Sequence, residues 1–251
     1  MTDTEDNNSE DREQPLIEHL IELRSRLLRC LMVLLAIFLV LSPFSGKLYS
    51  LIANPLISRL PANTGMIATE VASPFLVPFK LTLYLALFIS MPYLLYQLWA
   101  FVAPALYKNE KRFAFPLLLS SITLFYAGIA FAFFLVFPLL FKFFTSVAPA
   151  GVTVMTDISQ YLDFILKMFF AFGMAFEIPI ATILMVSAGI VSVGALAQKR
   201  PYVIVGAFVI GMLLTPPDVL SQVLLAMPIW LLFELGLFFS RRFAPQEEEE
   251  A

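Results

Sequence analysis

The chain has 251 residues, 60% hydrophobic and 14% charged, with a formal net charge of -3 and a mean hydropathy of +0.86. Soluble domains carry about 25% charged residues, so a soluble core of this length is excluded and a membrane is the solvent that fits. Cys30 is the only cysteine and His19 the only histidine, which excludes a disulfide framework and a Cys/His metal cluster; no metal and no cofactor is expected.

The net charge hides an asymmetry, because residues 1–14 sum to -5 and Glu247 to Glu250 add -4, leaving +6 on the body. Acidic stretches without an aromatic anchor read as solvated ends. The expected division is an acidic disordered tail over 1–14, a membrane domain over 15–242 and an acidic C-terminal tail over 243–251. The first residues lack the basic stretch of a cleaved signal peptide, so the first span is expected to stay in the protein.

A helix needs ~20 apolar residues to cross ~30 Å of hydrocarbon, with every backbone group paired inside the segment. The first span is expected over 27–44, led in by an amphipathic interfacial helix over 15–26. Pro15 suits a first helical turn there, and Leu16, Leu20, Leu23 and Leu27 recur at three- and four-residue steps. The joint 45–74, rich in Pro, Gly and Asn, is expected to hold short helices on the membrane surface. Spans two and three, 75–101 and 113–141, bracket the joint 102–112. The joint 142–160 precedes span four, 161–186. After 187–200 come two closing segments, 201–214 and 219–239, separated by Thr215-Pro216-Pro217-Asp218. Residues 202–214 as a helix reach ~20 Å, so the segment is either re-entrant or, as the flanking charges Lys199, Arg200 and Asp218 favour, a short complete span in a locally thinned bilayer.

Six spans place Arg12, Arg24, Arg26, Arg29, Lys108, Lys111, Arg112, Lys199, Arg200, Arg241 and Arg242 on one face and Lys47, Arg59, Lys80 and Lys142 on the other. Translocation of short loops is biased against Lys and Arg, so eleven against four points both termini into the cytoplasm.

Catalytic signatures are missing. Gly189 and Gly194 have P-loop spacing, but Ala195 and Leu196 follow where Lys and Ser or Thr are needed; nucleophile elbows, zinc-helix and Rossmann patterns are absent as well. No enzyme is expected. What remains is a sparse set of ionisable groups. Glu177, inside span four, marks a functional position by its placement, the alternative being a protonated carboxyl bonded to a carbonyl freed by Pro179. Asp163 and Lys167, four residues apart, read as a structural ion pair. Glu234 and Gln222 are weaker candidates, Gln222 as a hydrogen-bonding group between helices.

On the cytoplasmic face Glu22 and Arg26 form an i,i+4 pair, and anionic lipid suffices to explain the arginines. Glu22 and Glu110 are acids set in basic joints. Each is suited to take a guanidinium through paired hydrogen bonds, which Lys cannot reproduce.

Several strings resemble the TatC family, the receptor subunit of the twin-arginine protein translocase. They are Pro15-Leu16-Ile17-Glu18-His19-Leu20-Ile21-Glu22-Leu23-Arg24-Ser25-Arg26-Leu27, Ala72-Ser73-Pro74-Phe75, Trp99-Ala100-Phe101-Val102-Ala103-Pro104-Ala105-Leu106-Tyr107, Phe176-Glu177-Ile178-Pro179, Lys199-Arg200-Pro201-Tyr202 and Leu214-Thr215-Pro216-Pro217-Asp218. The resemblance implies an all-α membrane protein of six transmembrane helices, cup-shaped, with the last two spans short and both termini cytoplasmic in a bacterial inner membrane. It implies binding of twin-arginine signal peptides of folded proteins and organisation of TatA and TatB for export driven by the proton gradient. Membrane lipids and further copies of the chain would be partners, and nucleic acid would not. On that reading Glu22 and Glu110 hold the arginine pair, Arg24 and Phe101 shape the pocket, and Glu177 faces the concave groove. Met212 and Gln222 contact the single-span partners, and Pro55 lies in an outer loop important for export. Asp163 and Lys167 fall outside the family pattern, and Ser240-Arg241-Arg242-Phe243 reads as a topological anchor. The rival reading is a secondary transporter moving a small solute or ion past Glu177; it lacks the internal repeats such folds show.

Overall fold

A computed structural model of the chain describes residues 7–57, 66–106, 114–147, 156–214 and 219–242. The described residues are almost entirely helical: α1 (Asn7–Leu41), a 3-10 turn (Ser42–Phe44), α2 (Ser45–Ile57), α3 (Ser73–Leu106), α4 (Ala114–Phe131), a π-helical turn (Ala132–Val136), α5 (Phe137–Val147), α6 (Ile158–Ala175), α7 (Ile178–Ser187), α8 (Val193–Gln198), α9 (Arg200–Leu214) and α10 (Val219–Ser240). Two short strands, β1 (Met66–Ile67) and β2 (Thr156–Asp157), pair in parallel with Met66 opposite Thr156 and Ile67 opposite Asp157.

Five stretches are long and apolar enough to cross a bilayer: His19–Leu51, Ser73–Phe101, Phe115–Phe143, Ile158–Ser187 and Gln222–Ser240; Arg200–Leu214 is apolar but shorter. Of the two closing segments, therefore, only α9 is short. α10 runs 22 residues, because Pro228 lies inside it without ending it. The N-terminal expectation also changes. Among the described residues no separate interfacial helix precedes the first span, since α1 is one helix that starts at Asn7. Between residues 16 and 41 the sequence has no Gly or Pro to bend it, and residues 7–14 include the helix formers Glu, Gln and Arg.

Prolines shape the long helices. Each removes the amide that would bond the carbonyl four residues back, and in hydrocarbon that carbonyl has no water to turn to. Pro92 frees Phe88 in this way, and the Tyr126 hydroxyl of α4 donates to the Phe88 carbonyl at 2.9 Å. Ahead of Pro138 the helix widens into the π turn, where the Phe137 amide bonds the Ala132 carbonyl five residues back. Ahead of Pro179 it stops, and Phe176 and Glu177 separate α6 from α7.

The core lies where α3, α4, α5 and α6 meet, with Leu81, Phe125, Leu140, Ile165 and Phe172 all buried. Small residues bring the helices close. A Cβ on Gly128 would strike the Phe172 carbonyl, and one on Gly173 would lie 2.6 Å from the Phe125 ring. Gly236 of α10 sits equally tightly against Thr182 and Pro179 of α7. The outward faces stay apolar, as Leu39, Phe115, Phe134 and Leu213 show at 66%, 73%, 68% and 74% exposure, which suits contact with lipid chains.

The short ladder ties together the starts of α3 and α6, so both helices begin on the same side of the bundle. Asp157 anchors it. Oδ1 accepts from the Ser159 and Gln160 amides at 2.9 and 3.0 Å as the N-cap of α6, and Oδ2 accepts from the Thr69 amide at 2.9 Å and hydroxyl at 2.6 Å. The Thr69 hydroxyl, with help from these amides, holds the carboxyl down at about 2, below its ordinary value of 3.8.

Two outcomes follow. Tyr126→Phe orphans the Phe88 carbonyl and is expected to lower stability in detergent by ~0.5–1.7 kcal/mol. In a Pro92→Ala background, where the amide returns, the same change is expected to cost less; a double-mutant cycle of thermal unfolding measures the difference. Because the Asp157 carboxyl is depressed, its stabilisation is present in full above pH 3.8 and is lost as pH falls through about 2. The Tm gap between the unsubstituted chain and Asp157→Ala is expected to be open at pH 5 and to close toward pH 2.

Candidate functional site

The seam between α1 and α3 carries a chain of polar contacts at the end of the bundle opposite the ladder. Arg26 is its hub. Its Nε and Nη2 donate to Glu22 Oε1 at 2.9 and 2.6 Å, its Nη1 donates to Gln97 Oε1 at 3.0 Å, and Nη2 also reaches the Ala100 carbonyl at 3.2 Å. The Gln97 amide in turn donates to the Tyr93 hydroxyl at 2.7 Å. Proline explains the Ala100 contact, since Pro104 follows four residues later and supplies no amide to that carbonyl. A planar guanidinium can serve acceptors on two helices at once, a task beyond a single ammonium. One turn before Glu22, the His19 ring stacks on Phe101 with centroids 4.3 Å apart.

This arrangement leaves Glu22 half used. Both Arg26 bonds land on Oε1, and the Glu22 side chain is 44% exposed. Phe101 is beside it through His19. Arg24 is exposed and has no hydrogen bond to this cluster among the described residues. Glu110 lies outside the described residues. The sequence reading paired Arg26 with Glu22 but did not see its reach to α3; the proline four residues past Ala100 was the available signal.

Deeper in the bundle, Glu177 occupies the break between α6 and α7. Its Oε2 accepts from the Ser121 hydroxyl of α4 at 2.5 Å, and Oε1 is buried with no hydrogen-bond partner among the described residues. Its partner is thus a hydroxyl, not a carbonyl freed by Pro179. Phe176 beside it packs on Phe131, centroids 5.5 Å apart.

Three further placements complete the set. Met212 on α9 is 53% exposed. Gln222 on α10 backs onto α9, where a Cβ on Gly211 would lie 3.6 Å from the Gln222 backbone. Pro55 is in α2, and its side chain lies outside the described residues. Two ion pairs differ from expectation. Asp163 pairs with Lys80 of α3, with Nζ 2.5 Å from Oδ1 and 2.6 Å from Oδ2, and not with Lys167. Both lysines are exposed; the acid is taken across the helix interface by Lys80 of α3 and not along its own helix by Lys167. Glu234 receives Arg200 in a fork of 2.6 and 3.0 Å that joins the start of α9 to the end of α10.

Long apolar helices closed by small-residue contacts, with polar bonds confined to a few seams, define a multi-pass helical membrane protein. The family model for the Sec-independent protein translocase protein (TatC) matches residues 18–228, and the chain belongs to the TatC family. A curated TatC from Azotobacter chroococcum mcd 1 is 59% identical over 241 residues, covering 96% of this chain and 94% of that protein. The TatC of Escherichia coli strain K12 is 58% identical over 228 residues, covering 91% and 88%. Among solved structures, a crystal structure of the twin arginine translocase receptor TatC aligns with a TM-score of 0.81 at 37% identity, covering 90% of this chain and 99% of that one. The chain is a Sec-independent translocase subunit, and the solute-transporter reading falls away.

Arg26→Lys keeps the charge but gives up the fork. It is expected to lower stability by ~1–2 kcal/mol, because the Ala100 carbonyl or Gln97 loses its donor, as thermal unfolding in detergent will read.

Proposed function

We propose that the chain is the receptor that reads paired arginines in the signal peptides of folded proteins and then organises TatA and TatB around itself. The observation that carries this reading is Glu22, fixed by Arg26 through one carboxylate oxygen while the other is unbonded among the described residues. A carboxylate already oriented can accept an incoming guanidinium with little reordering. Glu110 is the second acid. Leu106, the last residue of α3, is five residues beyond Phe101, ~7.5 Å along the helix. Glu110 follows four residues later, within ~14 Å of chain reach. Arg24 and Phe101 border the same end of the seam.

The reading extends to a six-span, cup-shaped protein of a bacterial inner membrane, with α9 as the sixth, short span. The excess of Lys and Arg at the Glu22 end supports cytoplasmic termini. Glu177 faces the concave groove into which the signal inserts. Met212 and Gln222 meet the single-span partners, and the apolar groove of Ile204, Phe208, Val223, Met227 and Trp230, about 240 Å³, supports that docking. Pro55, in α2, belongs to the connection between the first two spans, taken as the outer segment important for export. Lipids and further copies of the chain complete the assembly, and the proton gradient drives export.

Binding of a two-arginine signal peptide to the purified chain tests the site. The two-lysine variant is expected to bind about tenfold or more weakly, as are Glu22→Ala and Glu110→Ala with the arginine peptide. Equal affinity for the two peptides removes the site.

A further inference from the structure

We propose that the groove between α1, α3 and α6 holds an acyl chain of one anionic phospholipid whose phosphate is bound by Lys167. The argument begins with depth. Ile158–Ser187 is 30 residues, at most ~45 Å across α6, the break and α7 against ~30 Å of hydrocarbon, so up to about five residues at each end lie outside it. That sets the boundary near Asp163, whose pairing with Lys80 suits an interfacial position.

Lys167 is one turn deeper, exposed, and without an ion pair among the described residues. An ammonium left in hydrocarbon is costly. A helical side chain leans toward the N-terminus of its helix, and the lysine stem of about 6 Å lifts the charge to the level of Asp163. There Asp163 is already taken by Lys80. Within this cluster of Lys80, Asp163 and Lys167 two cations face one anion, with Lys167 as the unmatched member.

Directly below this charge is an apolar slot. Leu34, Leu83, Tyr84, Leu87 and Phe170 line a groove of about 370 Å³. Phe170 is one turn from Lys167, and Leu83 and Tyr84 are one turn from Lys80. A free phosphate would satisfy the cation and leave the slot empty, while an apolar helix would fill the slot and leave the cation unmatched. An anionic lipid does both. The inference needs neither the receptor reading nor a choice of membrane side.

Native mass spectrometry of the purified full chain, with phosphatidylglycerol and phosphatidylcholine in equal amounts, tests it. Preferential retention of one phosphatidylglycerol is expected. Lys167→Gln is expected to reduce that retention about fivefold, and Lys167→Arg to keep it. Leu87→Trp, which fills the slot, is expected to reduce retention of both lipids. Lys167 is on the surface, so the folded state of the Gln variant can be verified by its Tm. Equal retention of the two lipids by the unsubstituted chain, or retention of phosphatidylglycerol unchanged in the folded Lys167→Gln variant, overturns the proposal.

Discussion

Inside hydrocarbon a backbone carbonyl has no solvent to fall back on, and the prolines of this chain create several carbonyls that lose their helical donor. How each vacancy is filled decides much of the architecture. At Pro92 a tyrosine crosses from α4 to α3. At Pro104 an arginine crosses from α1. At Pro138 the helix rewinds into a π turn, and at Pro179 it ends and restarts. The first two solutions bind neighbouring helices together, and the last two change direction or register within one helix.

The residues proposed for the site are located at the same places. Arg26 is both the donor that α3 lacks and the clamp that holds Glu22. Glu177 stands at the interruption before Pro179, between α6 and α7, and the Ser121 hydroxyl of α4 donates to it there. On the proposed reading, structural repair and ligand binding fall to the same residues. A membrane protein with few polar groups must use each one more than once.

The spans were legible because a run of apolar residues has one reading in a bilayer, and five of the six expected segments meet the length that crossing demands. Family membership was legible from ordered strings such as Phe176-Glu177-Ile178-Pro179. What sequence spacing could not supply was the partner of a charge. Asp163 and Lys167 have ideal spacing on one helix, yet Lys80 from a helix 83 positions away takes the acid. Likewise Glu234 gave no hint of Arg200, 34 residues earlier, until the short α9 brought the two ends together. Local periodicity reports which face a residue occupies; it says nothing about which helix will lie against that face. At the acidic start of α1 composition favours solvation, while the long helix behind it favours propagation.

The Tyr126 and Pro92 pair has a consequence for how such chains change over generations. A lineage that replaces the proline regains an amide and no longer requires a hydroxyl at 126. A lineage that first loses the hydroxyl is left with an unmet acceptor in oil. The cheaper order of substitution is therefore the imino acid first and the phenol second.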